Sequence, residues 1–163
     1  MGTNGSTMLE PFDALRQGLP PLDPTAVSGA ASCALPARYE AVRSARQFTR
    51  RTIADWDVPE HFDGICLVVS ELVTNALRHA LPADTPYGQD PPVRLHLMRW
   101  ASRVVCAVRD PSNESPVAGE AGDDTVAESG RGLFLVDSFS DSWGWHPLAG
   151  TLSGKVVWAL FRL

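Results

Sequence analysis

Glu71–Ala80 reads ELVTNALRHA, and its polar residues recur at every fourth position. At 3.6 residues per turn, Glu71, Asn75 and His79 stack along one face of a helix. Ile65, Val68, Val69, Leu72, Val73 and Ala76 make an adjoining apolar stripe, so the polar row is expected to border a cleft over a core. Asn75 supplies a neutral carbonyl oxygen and Glu71 a carboxylate. Magnesium prefers such hard donors and commonly joins one or two of them to substrate phosphates while keeping several waters. Asn75 is therefore the candidate metal ligand and Glu71 the candidate base. Taken alone, E-x-x-x-N more often marks a solvated helix face; the flanking sequence decides between the two.

On the N-terminal side, a helix is expected from Pro36 to Trp56, with proline in its first turn and Val42, Ala45, Thr49 and Ile53 on one face. Asp57-Val58-Pro59 breaks it. Residues 1–34 are rich in Gly, Pro, Ser, Thr and Ala without sustained periodicity, the composition of a flexible tail, leaving 35–163 as the folded domain. On the C-terminal side, Pro82 to Pro92 is turn-rich and the period then changes. Val93, Leu95 and Leu97 alternate with Arg94, His96 and Met98, and a second run from Arg103 to Asp110 pairs with the first as a hairpin. Asp141 to His146 and Lys155 to Leu163 add two further strands. These elements predict an α+β, two-layer sandwich: a mixed or antiparallel sheet covered on one face by helices.

Asp110 closes its strand in RDPSNES, ahead of a stretch with no hydrophobic period, 112–129, that reads as a surface loop. The loop runs into Gly130-Arg131-Gly132-Leu133 and the apolar segment Leu133 to Phe139. Glycines let the backbone approach a ligand, and helix-end N–H groups suit phosphate oxygens. A simple turn explains G-x-G equally well. Arg131 is either a charge-assisted phosphate contact or a solvent-facing residue, and the sequence does not choose.

Taken in order, ARQF at Ala45 to Phe48, the Asn75 helix, the hairpin ending in Asp110, GRGLFLVDSFSDSWGW from Gly130 and SGKVVWALF from Ser153 resemble the ATP-binding domain shared by gyrase, Hsp90, histidine kinases and MutL (the GHKL, or Bergerat, fold). Within it, the pattern is most similar to the bacterial anti-sigma-factor serine/threonine kinases. The resemblance implies ATP and Mg2+ as cofactors. It makes Asp110 the acceptor for the adenine amino group, Asn75 the magnesium residue, Gly130, Arg131, Gly132 and Leu133 the phosphate-binding turn, and 111–130 the lid over ATP. It implies that Glu71 takes the proton from a serine hydroxyl of an anti-sigma antagonist, and that a sigma factor is a second partner. A homodimer is compatible with it. The chain departs from these relatives at two points. They usually carry Asp-x-Gly-x-Gly where this chain has Asp110-Pro111-Ser112, and many carry Gly-Thr where it has Gly154-Lys155-Val156. The missing glycines leave a second reading open, a nucleotide-sensing module that grips a partner without transferring phosphate. The catalytic domain of a histidine kinase would need an upstream helix with a phosphoacceptor His, for which 34 residues give no room.

Length and composition agree with one domain. A chain of 163 residues buries about 70% of its unfolded surface, enough for a substantial core. A net charge of −5 and a pI of 5.3, with no aromatic-lined basic stripe, argue against nucleic acid as a direct partner. Cys33, Cys66 and Cys106 form neither a C-x-x-C pair nor a disulfide pattern, so they are expected as thiols of a cytoplasmic protein, two of them within apolar runs. No run is long enough for a membrane span. Trp143, Trp145 and Trp158 are expected to pack, because they alternate within strands.

Overall fold

The computed structural model describes residues 26–36, 38–79, 93–116, 133–148 and 153–163. Strand β1 (Gly29–Leu35) leads into helix α1 (Glu40–Asp55). A 3-10 turn (Pro59–His61) then connects to helix α2 (Phe62–His79). Strands β2 (Val93–Trp100) and β3 (Arg103–Asp110) follow, then a short helix α3 at 133–139, then β4 (Ser142–Pro147) and β5 (Lys155–Arg162). The five strands form one sheet in the order β1-β2-β3-β5-β4. Every neighbouring pair is antiparallel, which settles the choice between a mixed and an antiparallel sheet. The fold is α+β.

Helix α2 forms where the sequence predicts it. Ile65, Val68, Val69, Leu72, Val73 and Ala76 are all buried and share one cluster with Leu95 and Leu97 of β2, Cys106 and Val108 of β3, and Val157 and Ala159 of β5. Burial of each large side chain contributes about 1.5–3 kcal/mol, and this seam holds the helix, with its polar row, at a set height above the sheet. Ser70 and Thr74 donate their hydroxyls to the carbonyls of Cys66 and Ser70, so neither competes for outside partners.

Helix α1 packs more thinly, through Ala41, Ala45 and Ile53, together with two buried threonines. Their hydroxyls are satisfied within the helix, Thr49 to the Ala45 carbonyl and Thr52 to that of Phe48. The helix starts at Glu40, later than the expected Pro36, because a turn intervenes: Arg38 N–H donates to the Pro36 carbonyl and Ala41 N–H to that of Arg38. It stops at Trp56. Asp57 follows with φ 57°, the left-handed position at which helices commonly end.

β1 departs from the sequence reading. It claims residues 29–34, which composition alone assigns to the tail, and pairs with β2 from Gly29↔Arg99 to Leu35↔Val93. Ala30, Ala31, Ser32 and Ala34 offer little hydrophobic contrast, so their alternation is invisible in the sequence. The pairing comes from the backbone of an edge strand. Trp56 lies over Gly29 so closely that a Cβ there would meet its indole ring, and Arg99 donates to the Trp56 carbonyl.

The sheet is apolar on both faces. Away from α1 and α2, the buried side chains of Met98, Trp100, Val105, Ala107, Val156, Trp158 and Leu160 form a second cluster, with Leu148 and Val27 against it. Trp158 crosses the strand position of Gly144, where a Cβ would meet its ring. Trp143 and Trp145 pack against the helix-side core, so the three tryptophans are packing residues. The cysteines are free thiols; Cys66 and Cys106 are buried, and burial pushes the Cys106 thiol up to about 12. Among the described residues, no helix is long and apolar enough to cross a membrane.

Candidate functional site

Between α2 and the ends of β3 and β5 lies a cavity of about 110 Å³, open at its mouth. Leu72 and Ala76 of α2 and Val108 and Val157 of the sheet supply apolar walls. Asn75, Asp110 and Lys155 supply the polar groups, and Ser112 and Glu114 stand at the rim. The placement follows from two periodicities. Asn75 sits at the edge of the apolar stripe of α2, and Asp110 and Val108 share a strand face because they are two residues apart.

Asp110 is the last residue of β3 and Lys155 the first of β5, and the register places them directly opposite each other. Lys155 Nζ lies 3.0 Å from Asp110 Oδ1, with both side chains almost fully buried. Burial pushes the Asp110 carboxyl above the usual carboxylate range, while the Lys155 hydrogen bond and charge, and the Ser112 N–H, pull in the opposite direction. A buried carboxylate is tolerable when it is paired and hydrogen-bonded in this way.

The first part of the loop after Asp110, residues 111–116, contains no glycine. Ser112 N–H donates to Asp110 Oδ1 at 2.9 Å and Glu114 N–H donates to Ser112 Oγ at 3.1 Å, so side-chain acceptors close two successive turns. Asn113 Oδ1 accepts from Gly154 N–H at 2.8 Å, tying the loop to the residue that precedes β5. Gly154 has φ +118°, and a Cβ there would overlap the Asp110 carbonyl. A glycine is thus required on the β5 side of the contact, while the Asp110 side makes do with serine and asparagine.

Of the residues expected to form the site, Asn75 and Asp110 line the same cavity. Glu71 lies one turn before Asn75 on α2, half-buried, and is outside the cavity lining. Leu133 is buried at the start of α3. That helix is anchored by Val136 in the core and by Trp143 Nε1–H donating to Asp137 Oδ1 at 3.1 Å. Gly130, Arg131 and Gly132, and the expected lid beyond residue 116, lie outside the described residues. Lys155 is the functional candidate that sequence reading misses. A lysine opening the run KVVWALF opposite a strand-end aspartate is the available signal, and it becomes one only once β3 and β5 are known to be neighbours.

Residues 35–160 match the sequence profile of the histidine kinase-like ATPase domain. The chain belongs to this family. The histidine kinase-like ATPase fold is shared with the RsbU and RsbW domains of Rv1364c from Mycobacterium tuberculosis, at a TM-score of 0.59 and 17% identity over 83% of this chain and 33% of that one. It is shared also with the SiaB-SiaC complex from Pseudomonas aeruginosa, at 0.55 and 10% identity over 98% of this chain and 100% of that one. The chain spans about a third of the mycobacterial chain. At these identities the likeness is one of fold. No curated protein sequence matches significantly.

An ATPase domain of this family binds ATP, and the cavity presents a buried acceptor between apolar walls. Among the described residues, no group of three His, Cys, Asp or Glu side chains could hold a metal. Asn75 fits magnesium as a single protein oxygen whose remaining ligands are phosphates and water, the mode this ion commonly adopts.

Proposed function

We propose that the protein is an ATP- and Mg2+-dependent serine kinase of the anti-sigma-factor type, which phosphorylates an anti-sigma antagonist and binds a sigma factor. The observation that carries this reading is the shared cavity of Asn75 and Asp110. One marks the phosphate end of a nucleotide site and the other the base end, on a family fold that hydrolyses or transfers from ATP.

Asp110 orients the base by accepting a hydrogen bond from an exocyclic amine, and Leu72, Ala76, Val108 and Val157 exclude water around the ring. Asn75 offers its carbonyl oxygen to magnesium, which when bound neutralises phosphate charge. Gly130, Arg131, Gly132 and Leu133 are the phosphate-binding residues in this reading, as the resemblance implies. Glu71, one helical turn from Asn75, accepts the proton of the attacking serine hydroxyl. Phosphoryl transfer requires little else of a protein than positioning and charge neutralisation. The test is incubation of the pure protein with labelled ATP and candidate antagonist proteins. Label on an antagonist serine is the expected result, and its absence from every antagonist that binds would overturn the kinase reading.

One observation favours a second reading, a nucleotide-sensing module without phosphotransfer. Asp110 is already engaged by Lys155 and its loop lacks the relatives' glycines, so nucleotide occupancy and turnover need not be coupled as they are in those kinases. ATP-dependent partner binding without label transfer would support it.

A further inference from the structure

We infer that Lys155 and Asp110 together read the hydrogen-bonding edge of a purine, and that the cavity therefore takes 6-oxopurine nucleotides, GTP and ITP, as well as ATP. The inference rests on the nucleotide reading above and extends it to the choice of base.

A lone carboxylate at the base end of a site makes a one-sided demand. It accepts from the 6-amino group of adenine and repels the 6-oxo group of guanine or hypoxanthine, because two acceptors then face each other without a proton between them. Such mismatches of a buried polar group are heavily discriminated against. Here the carboxylate is not alone. Lys155 Nζ stands 3.0 Å from Asp110 Oδ1, with the two side chains 6% and 3% exposed, and both residues line the cavity.

The spare hydrogen-bonding capacity of the pair is what a base edge needs. Among the described residues, both hydrogen bonds to Asp110, from Ser112 N–H and from Lys155, fall on Oδ1, and none falls on Oδ2. An ammonium carries three donors, and among the described residues Lys155 uses one, on Asp110. The cavity floor therefore presents an acceptor and a donor side by side. With adenine, Asp110 accepts from the 6-amino group and Lys155 donates to ring N7. With guanine or hypoxanthine, the base turns in its plane so that the next two positions of its edge meet the pair: Lys155 donates to the 6-oxo group and Asp110 accepts from N1–H. Each arrangement pairs the buried charges with complementary groups and leaves neither facing its like.

A hydroxyl at this position could not do the same. It is neutral and shorter, and cannot offset the carboxylate charge at a facing carbonyl. The departure at Gly154-Lys155-Val156 thus exchanges a neutral residue for one that changes what the base site accepts.

The experiment is calorimetric titration of the full chain with ATP, GTP and ITP in the presence of magnesium. It is repeated on Lys155→Met and on the doubly neutral Asp110→Asn/Lys155→Gln, which keeps an amide acceptor and an amide donor and removes both buried charges. In the parent, GTP and ITP are expected within about tenfold of ATP. Lys155→Met is expected to weaken GTP and ITP by roughly 30-fold or more while ATP changes much less, in the range for removing a buried hydrogen-bonding partner. The double variant is expected to weaken all three ligands by similar factors, and it provides the comparison if Lys155→Met does not fold: a loss confined to GTP and ITP there would overturn the inference. If ATP binds and GTP and ITP are each at least 100-fold weaker, the inference fails and the nucleotide reading stands. If no nucleotide binds, the nucleotide reading itself fails. Equal loss of ATP and GTP in Lys155→Met would also overturn the inference, by making Lys155 a structural support instead of a reader of the base.

Discussion

Gly154 lets the start of β5 pass so close to Asp110 that any Cβ at residue 154 would overlap the Asp110 carbonyl. Its φ of +118° is itself a conformation that only glycine adopts readily. Gly154→Ala is therefore expected to destabilise the fold by about 2–4 kcal/mol, combining backbone strain with a steric clash. Urea unfolding checks this. A loss under 1 kcal/mol would mean that the Asp110–Pro111 backbone moves aside easily.

ATP with magnesium is expected to raise the melting temperature. A ligand at about 100 times its dissociation constant contributes about 2.7 kcal/mol, or roughly 5–11 °C for a chain of this size. Asn75→Ala should remove most of the magnesium-dependent part of the shift, with the unliganded melt nearly unchanged because Asn75 is only half-buried. A parent protein that melts at the same temperature with and without ATP would contradict the assignment of the cavity.

Glu71 separates binding from chemistry. It lies on the face of Asn75 but outside the cavity lining, so Glu71→Gln should keep ATP affinity within a few-fold. Phosphotransfer to the antagonist serine should fall by roughly 100-fold or more, the range for loss of a general base. Single-turnover assays with the variant read both quantities. Transfer at the parent rate would exclude Glu71 as the base.

His96, in the middle of β2, carries the clearest pH signature. Burial, and then the charges of Arg94 and Arg109, push its imidazole down to about 4. Its folded value lies below the unfolded one, so the fold favours the neutral ring. The corresponding stability is present above about pH 6.5 and is lost progressively as pH falls through about 4. Urea midpoints should decline over that window, and His96→Gln should flatten this part of the decline. A parent profile that is flat between pH 6.5 and 4.5 would contradict the placement of His96.

Removing residues 1–34 deletes all but the last residue of β1 and leaves one edge of β2 unpaired. The truncated chain is expected to lose at least about 2 kcal/mol of stability, or to associate through the exposed strand edge. Denaturant unfolding and light scattering distinguish the two. An unchanged midpoint with a monomeric profile would show that β1 contributes nothing to the sheet.

Local pattern alone carries much of this protein. The 3.6-residue period places Glu71, Asn75 and the stripe from Ile65 to Ala76 on one helix, and the two-residue period identifies the hairpin of β2 and β3. In both, the apolar residues contrast sharply with their neighbours. Contrast is absent from β1, whose alanines and serine belong to a strand only because the β2 backbone is there to pair with them. The same limit hides the Asp110–Lys155 pair. The two residues are 45 positions apart, and as isolated signals one is a strand-end turn and the other a stray charge. Antiparallel pairing of β3 with β5 sets them face to face beside α2, so that a donor and an acceptor share one buried floor. Periodicity is a property of neighbours in the chain and can be read from it. The electrostatics of a site depend on register and burial, which arise only when distant segments meet.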